Sequence, residues 1–311
     1  MTDVLTLGEA MVSVRTAAPM RLGGAAQLSV AGSESNVAIG LARLGHDVCW
    51  VGAVGDDQPG NLVRRTLRAE GVDTRFARAA RGAFTGFVAF DQPAHDITRV
   101  SYHRAGSAGS TLTAKECSVA LSSTFPRLVH LTGITPALSQ TAREAVLATA
   151  RAAHAAGIRV SLDVNYRERL WPRPQAAAVL RELLPLLHTV FASADELDLL
   201  SAAADPVAEL LARGVAQVVV TAGADGAHCH TPGGSRYQPA LRVAVVDSVG
   251  AGDAFVSGYL SGALDGLTAE ERLRRAATAG AFCVGAHGDW EALPSRAGLA
   301  LLARGDGAAL R

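Results

Sequence analysis

Val243-Ala-Val-Val-Asp247-Ser-Val-Gly250-Ala-Gly252-Asp253-Ala-Phe255-Val-Ser-Gly-Tyr-Leu260 reads as a β-type run, a turn of small residues and a helix carrying Phe255, Tyr259 and Leu260. The first amides of such a helix lack intrahelical partners and carry a partial positive charge. Glycines let a polyphosphate approach that backbone closely, so the amides of Gly250, Ala251, Gly252 and Asp253 form a candidate anion cradle. Asp253 stands beside it in the first helical turn, where a carboxylate can accept a hydroxyl proton as the oxygen attacks phosphorus. A plainer reading stays open from these residues alone: an acidic residue is common in a first turn, and the glycines also suit a tight turn.

Working outward, the composition narrows the chemistry. The chain has 311 residues, 49% hydrophobic and 19% charged, which suits one large α/β domain over residues 1–311. Basic and acidic residues number 29 each, so no field draws the chain to nucleic acid or to an anionic membrane, and neither is an expected partner. No uninterrupted apolar run reaches the about 18 residues of a membrane span, and Met1 to Glu9 lacks the regions of a secretion signal. A cytoplasmic location is expected. Cys49, Cys117, Cys229 and Cys283 are scattered without a Cys-x-x-Cys pair, which favours buried free thiols over zinc or disulfides. Lys115 is the only lysine. A Walker loop, a protein kinase and a pyridoxal enzyme each need a lysine in a setting Lys115 lacks, so phosphate charge has to be met otherwise.

The hydrophobic rhythm supplies a frame for the turn. Asp3 to Gly8 reads as a buried strand, Ser33 to Gly45 as a helix and Asp47 to Val51 as a second strand. Phe84 to Asp91 and Ile97 to His103 are β-type runs around Gln92-Pro93, a hairpin expected to form a lid on the α/β body. From Arg127 strands and helices alternate: strands over 128–132, 158–163, 189–193 and 218–221, with helices over 142–156 and after Pro174. That alternation predicts a parallel sheet, whose ligands bind beyond the carboxyl ends of the strands. Asn165, Arg167, Glu196 and Gly223 fall at such ends.

These residues carry a resemblance. Asp247-Ser-Val-Gly-Ala-Gly-Asp-Ala-Phe255 resembles the C-terminal signature of the ribokinase-like (PfkB) carbohydrate kinases, and Ala31-Gly-Ser-Glu-Ser-Asn36-Val-Ala resembles their N-terminal one. The resemblance spans nearly the whole chain. It implies a ribokinase-like three-layer α/β sandwich with a mostly parallel central sheet, and a small β-sheet lid from segments around 10–30 and 84–104. It also implies Asp253 as catalytic base with Gly250, Ala251 and Gly252 as its anion hole. Tyr102-His-Arg104-Ala-Gly-Ser-Ala and Asp163-Val-Asn-Tyr-Arg167-Glu-Arg-Leu-Trp171 are more similar to 2-keto-3-deoxygluconate kinases than to ribokinases or adenosine kinases. A sugar acid suits arginines that pair with a carboxylate and a tyrosine that offers ring and hydroxyl, here Arg104, Arg167 and Tyr102. Taken alone, each arginine also reads as an ordinary exposed residue, but motif context and placement after a strand favour the functional reading.

By the same resemblance Gly32, Ser33 and Asn36 contact sugar hydroxyls, Phe87 covers the ring and Asp289 closes the pocket, although Asn36 also suits bonding within its own turn. Thr221-Ala-Gly223-Ala-Asp-Gly226 matches the family's nucleotide loop, or else is a hairpin turn into Ala227-His-Cys-His. His228 and His230 share one strand face, but no third metal ligand accompanies them. Asn165 and Glu196 belong to the nucleotide side, with Glu196 organising Mg2+ through water. Two departures stand out. Ser193 replaces a usual asparagine, and Thr278 stands where the adenine pocket more often has one.

The implied reaction is MgATP-dependent phosphorylation of 2-keto-3-deoxygluconate at its terminal hydroxyl. The rivals are a fructokinase, a ribokinase, a kinase for a keto-deoxy acid of inositol catabolism, a non-catalytic ligand-binding regulator and a dehydrogenase. The last lacks Gly-x-Gly-x-x-Gly after an early strand. A homo-oligomer through the lid's exposed edges and a monovalent cation such as K+ near Asp247 complete the expectations.

Overall fold

The structure, a computed structural model, describes residues 2–94 and 97–300. Residues 95 and 96 of the expected hairpin, and 301–311 of the expected domain, lie outside the described residues. In chain order the first half comprises β1 (Val4–Leu7), β2 (Met11–Arg15), β3 (Gln27–Ala31), α1 (Ser33–Arg43), β4 (Val48–Gly55), α2 (Gln58–Ala69), β5 (Ala77–Ala80), β6 (Phe87–Ala94), β7 (Ile97–His103) and α3 (Ala114–Thr124). The second half continues with β8 (Leu128–Thr132), α4 (Gln140–Ala155), β9 (Arg159–Asp163), α5 (Arg173–Leu183), β10 (Thr189–Ser193), α6 (Leu197–Leu200) and α7 (Pro206–Ala212). It ends with β11 (Gln217–Thr221), β12 (Ala227–Thr231), β13 (Gly234–Gln238), α8 (Ala251–Leu264) and α9 (Ala269–Val284).

The central sheet is ordered β13-β12-β11-β10-β9-β8-β1-β4-β5. Strands β11, β10, β9, β8, β1, β4 and β5 run parallel, and β12 and β13 add an antiparallel hairpin at one edge. A parallel sheet is covered on both faces, so its strands are mostly apolar; Val4–Leu7, Val48–Gly55 and Leu128–Thr132 are buried at every position. One face packs on α3, α4, α5 and α7 through Cys117, Val146, Leu180 and Leu210. The other packs on α1, α2, α8 and α9 through Ile39, Leu67, Tyr259 and Leu273. This is the three-layer sandwich the sequence predicts.

The lid is a separate sheet of order β3-β2-β6-β7, two antiparallel hairpins joined by the parallel pair β2–β6. Its two faces have different tasks. Val12, Val14 and Phe87 pack on the body, whereas Met11, Val88 and Phe90 form a small cluster with Ala31 and Val249 over the cleft.

The expected strand at 243–246 does not form. The Val246 amide donates to the carbonyl of Val284 at the end of α9, at 2.7 Å, so the segment is paired to a helix end rather than to a strand. It becomes a wall of the cleft described next. The helix expected after Pro174 starts two residues earlier, at Arg173, with Pro174 in its first turn, where a missing N–H costs nothing.

Candidate active site

Gly250 caps α8 with φ 78°, and a Cβ there would lie 2.0 Å from the carbonyl oxygen of Asp289. Glycine is therefore required, both for the left-handed backbone and for the close approach. Among the described residues the amides of Gly250, Gly252 and Asp253 make no hydrogen bond; that of Ala251 reaches Ser248 O at 3.3 Å, so the cradle has three fully open donors rather than four. At Gly252 nothing lies within 4 Å of a notional Cβ, which leaves room above the turn for an anion.

Asp253 is buried, and each of its oxygens has a donor. Ser33 Oγ donates to Oδ1 at 2.6 Å and Asn36 Nδ2 donates to Oδ2 at 2.8 Å. Burial pushes its carboxyl above the usual range; the two donors and the Arg167 charge pull against that shift. Asn165, in the left-handed region at φ 41°, donates to Ser33 Oγ at 2.9 Å and to Asp163 Oδ2 at 3.1 Å. Backbone strain held in this way needs support, and these bonds supply it.

A polar cavity of 90 Å³ lies on one side of the turn. Its lining includes Gly32, Ser33, Asn36, Tyr102, Arg104, Arg167, Gly250, Asp253 and Asp289, which the structure thus brings together from five separate segments. The Asn36 Oδ1 atom is buried there without a partner. Arg104 is not free: its Nε and Nη2 lie 2.6 and 2.5 Å from Glu9 Oε2, while Ser107 Oγ donates to the other Glu9 oxygen. Arg167 is exposed at the rim. Asp289 is pushed up to about 7 by burial, with the Asp253 charge adding to the shift and Arg15 opposing it.

Phe87 does not cover this cavity. Its ring stacks on His103 at 4.3 Å and packs on the body, so Val88 and Phe90 face the cleft instead. The period of two along a strand places residues 87 and 90 on opposite faces.

On the other side of the turn an apolar cleft of 670 Å³ is lined by Ser248, Ala251, Gly252, Phe255, Thr221, Gly223 and Gly226, and closed by Val243, Ala277 and Ala281. The Gly223–Gly226 loop is both a hairpin turn, joining β11 to β12, and a wall of this cleft. Thr278 departs from its expected place: its hydroxyl donates to Arg274 O at 2.8 Å, outside the cleft, while Ala277, Gly280 and Ala281 line it. A helical hydroxyl bonded back one turn has no donor left to offer a base.

Ser193 and Glu196 close the first turn after β10: the Ser193 and Tyr166 amides donate to the two Glu196 oxygens at 2.9 and 2.6 Å. Neither residue lines the apolar cleft. Asp163 is driven well above the usual carboxylate range by burial, then by the charges of Glu196 and Asp253. Three carboxylates that repel one another in this way favour a nearby cation, although no group of three or more His, Cys, Asp or Glu residues forms a ready metal cage among the described residues. Glu9 and Asp163 went unremarked in the sequence as site residues; their position just after β1 and at the end of β9 is the signal that points to them.

A small polar cavity and a large apolar cleft separated by a helix N-terminus with open amides define a group-transfer enzyme with two substrates. The chain belongs to the pfkB family of carbohydrate kinases, whose sequence profile matches residues 1–296. It is similar to the 2-dehydro-3-deoxygluconokinases of Bacillus subtilis and Thermoproteus tenax, with 36% and 35% identity. Those alignments cover 96% and 95% of this chain and 94% and 92% of the relatives. Its fold matches the crystal structure of a PfkB protein from Polaromonas sp. JS666 with a TM-score of 0.85 and 34% identity, covering 96% of this chain and 99% of that one. It is a carbohydrate kinase.

Proposed function

We propose that the chain transfers the γ-phosphate of ATP to the terminal hydroxyl of 2-keto-3-deoxygluconate, giving 2-keto-3-deoxy-6-phosphogluconate. One observation carries the reading: the segment Ser248–Asp253 is the shared wall of both cavities, with Gly250 and Asp253 facing the polar one and Ala251 and Gly252 the apolar one. A phosphate lodged on the open amides therefore meets a hydroxyl held beside Asp253.

The polar cavity takes the sugar acid. Asn36 Oδ1 accepts from a hydroxyl, Arg167 pairs with the carboxylate at the rim, and Arg104, locked by Glu9, presents its remaining N–H groups and its stem. Ligand sites usually offer about 300 Å³ or more, so the sugar enters by moving the exposed Tyr102 and Arg167 side chains outward. The apolar cleft takes the nucleoside, with the Gly223–Gly226 backbone alongside.

In the chemical step Asp253 accepts the hydroxyl proton, the new O–P bond forms, and the bond from phosphorus to the ADP oxygen breaks. The open amides stabilise charge on the transferring group. Asp163 and Glu196 would hold Mg2+ by way of water, and a bound Mg2+ neutralises phosphate charge. Lid side chains from β6 and β7 exclude water that would hydrolyse ATP. A monovalent cation beside Asp247 is not part of this reading, because Arg15 Nη1 lies 2.8 Å from Asp247 Oδ2.

The similarity to 2-dehydro-3-deoxygluconokinases supports the choice of acid over neutral sugar. Among the described residues no helix is long and apolar enough to cross a membrane. We place the enzyme in the cytoplasm, as an oligomer joined through the lid edges. A coupled ADP-release assay with 2-keto-3-deoxygluconate, its galactonate epimer, fructose and ribose tests the substrate. Higher kcat/KM for fructose or ribose than for either acid would defeat the assignment.

A further inference from the structure

Arg15 ends lid strand β2 on the cleft-facing side, with its guanidinium carbon 4.3 Å from the centre of the Phe90 ring. Its side chain is only 16% exposed, and it reaches two carboxylates from different segments: Nη1 lies 2.8 Å from Asp247 Oδ2 and Nη2 3.8 Å from Asp289 Oδ1. Both segments hold the anion turn. Asp247 Oδ1 accepts the amide of Val249 at 3.1 Å, and the carbonyl of Asp289 is the atom against which Gly250 packs.

We propose that Arg15 is a positioning residue for phosphoryl transfer, the fixed cation that holds Asp247 and Asp289 together and so keeps the Val249–Gly250 turn open towards the phosphate. The proposal rests on the reading of that turn as the phosphate cradle. Charge explains why a cation is needed. The charges of Asp247, Asp253, Asp289 and Glu291 all bear on Cys283, whose thiol reaches Val249 O of the turn at 3.4 Å, and a transferring phosphoryl group adds more negative charge. With only low-exposure surroundings, the repulsion is poorly screened. Arg15 Nη2 is buried and makes no hydrogen bond among the described residues, which marks it as held for charge rather than for a saturated bond network.

The lid connection matters as well. Trp290 Nε1 donates to Val30 O of β3 at 2.8 Å, and Ser29 on the same strand donates to Glu291. The 288–291 segment is thus tied to the lid by neutral or anionic groups, and Arg15 is the lid's cationic tie to it. A lid that shifts as sugar binds moves Arg15 and, with it, the two carboxylates behind the turn. No ion from solution is required at that point.

The test uses full-length wild type, Arg15→Met and Arg15→Lys, with kcat and both KM values measured and melting temperatures recorded alongside. R15M is expected to lose roughly tenfold to a hundredfold in kcat, the scale of a misplaced reacting group, with the sugar KM within about twofold. R15K keeps most of the activity, and millimolar guanidinium or K+ restores part of the R15M loss, since either can refill the vacated position. A kcat for R15M equal to that of wild type overturns the proposal. So does a loss that neither lysine nor an added cation repairs while the protein stays folded. If R15M does not fold, Arg15→Gln, which removes the charge and keeps a polar stem, is judged by the same criteria. A wild type without turnover on any sugar defeats the reading of the turn and Arg15's role with it, whereas an active wild type matched by R15M defeats Arg15 alone.

Discussion

The two cavities flanking the Ser248–Asp253 turn are made of different material. The polar one is small, and its walls carry Glu9, Arg104, Asn36, Asp253 and Asp289, mostly buried and mostly paired to one another. The apolar one is several times larger, and its walls are mostly glycine, alanine and valine, with Leu241, Phe255 and the polar Thr221, Arg242 and Ser248 among them. Discrimination by hydrogen bonds and charge is strict, because a ligand lacking the right group leaves a buried partner unmet. Discrimination by an apolar wall is looser. If the polar cavity takes the acceptor and the apolar cleft the nucleotide, as proposed, specificity is set on the acceptor side.

The sharpest way to break that contrast is at the turn itself. Asp253→Asn keeps the shape but leaves one acceptor oxygen where Ser33 and Asn36 met two, and it removes the proposed base, so turnover should fall by about a thousandfold. Because burial raises the pKa of this carboxyl, the relief of replacing it by a neutral amide offsets the one lost hydrogen bond, and the melting temperature should change little. A D253N enzyme with near wild-type turnover would remove Asp253 as base and leave the turn with an electrostatic task only.

On the polar side the next largest effect belongs to Arg104. Its removal leaves Glu9 buried, with its side chain 1% exposed, and no cation in contact. Arg104→Leu should cost about 3 kcal/mol of stability in urea denaturation, as well as activity. Arg167→Leu, at the exposed rim, should raise the KM for the sugar acid with little change in stability. Equal stability losses in the two variants would show that the Glu9 pairing is not the difference between them.

Asp289 sharpens the comparison through pH. Its native carboxyl titrates at about 7 against an ordinary value of 3.8, under the influence of burial, Asp253, Arg15 and Glu291. A raised native pKa means that the folded state binds the proton more tightly than the unfolded one. Its contribution to stability is thus full below about pH 4 and is lost as pH rises through 7. Asp289→Asn removes that loss, so the stability of D289N relative to wild type should grow between pH 4 and 8. The gain is about 1.4 kcal/mol for each unit by which the native pKa exceeds the unfolded one. A difference that stays constant with pH would show that folding leaves the Asp289 pKa at its ordinary value.

Much of this was legible beforehand because it is local. The strand ends, α1 and the Gly250–Asp253 turn follow from periodicity and from the glycines, and half of the lid follows from the β-type hairpin at 84–103, the half around 10–30 being implied by the family resemblance alone. What was not legible depends on partners distant in the chain. Glu9 and Arg104 are 95 residues apart, and no spacing rule pairs them. Arg15 meets Asp247 only once the lid has folded over the body. The 243–246 run has β-type residues, yet a helix end claims the Val246 amide. Phe87 is the exception, since strand alternation alone puts it on the face opposite Phe90.

Thr278 gives the smallest effect and the cleanest test of the nucleotide wall. Its hydroxyl is spent on Arg274 O, whereas Ala277, one residue earlier on α9, faces the cleft. Thr278→Val removes an exposed back-bond and should change the ATP KM by less than about twofold, in line with the small effects of surface substitutions. Ala277→Leu projects new bulk into the proposed nucleoside space and should raise the ATP KM by about tenfold, with the sugar KM unchanged. If T278V proved the more damaging of the two, α9 would have to be rotated in the working enzyme, and the threonine would return to the adenine pocket.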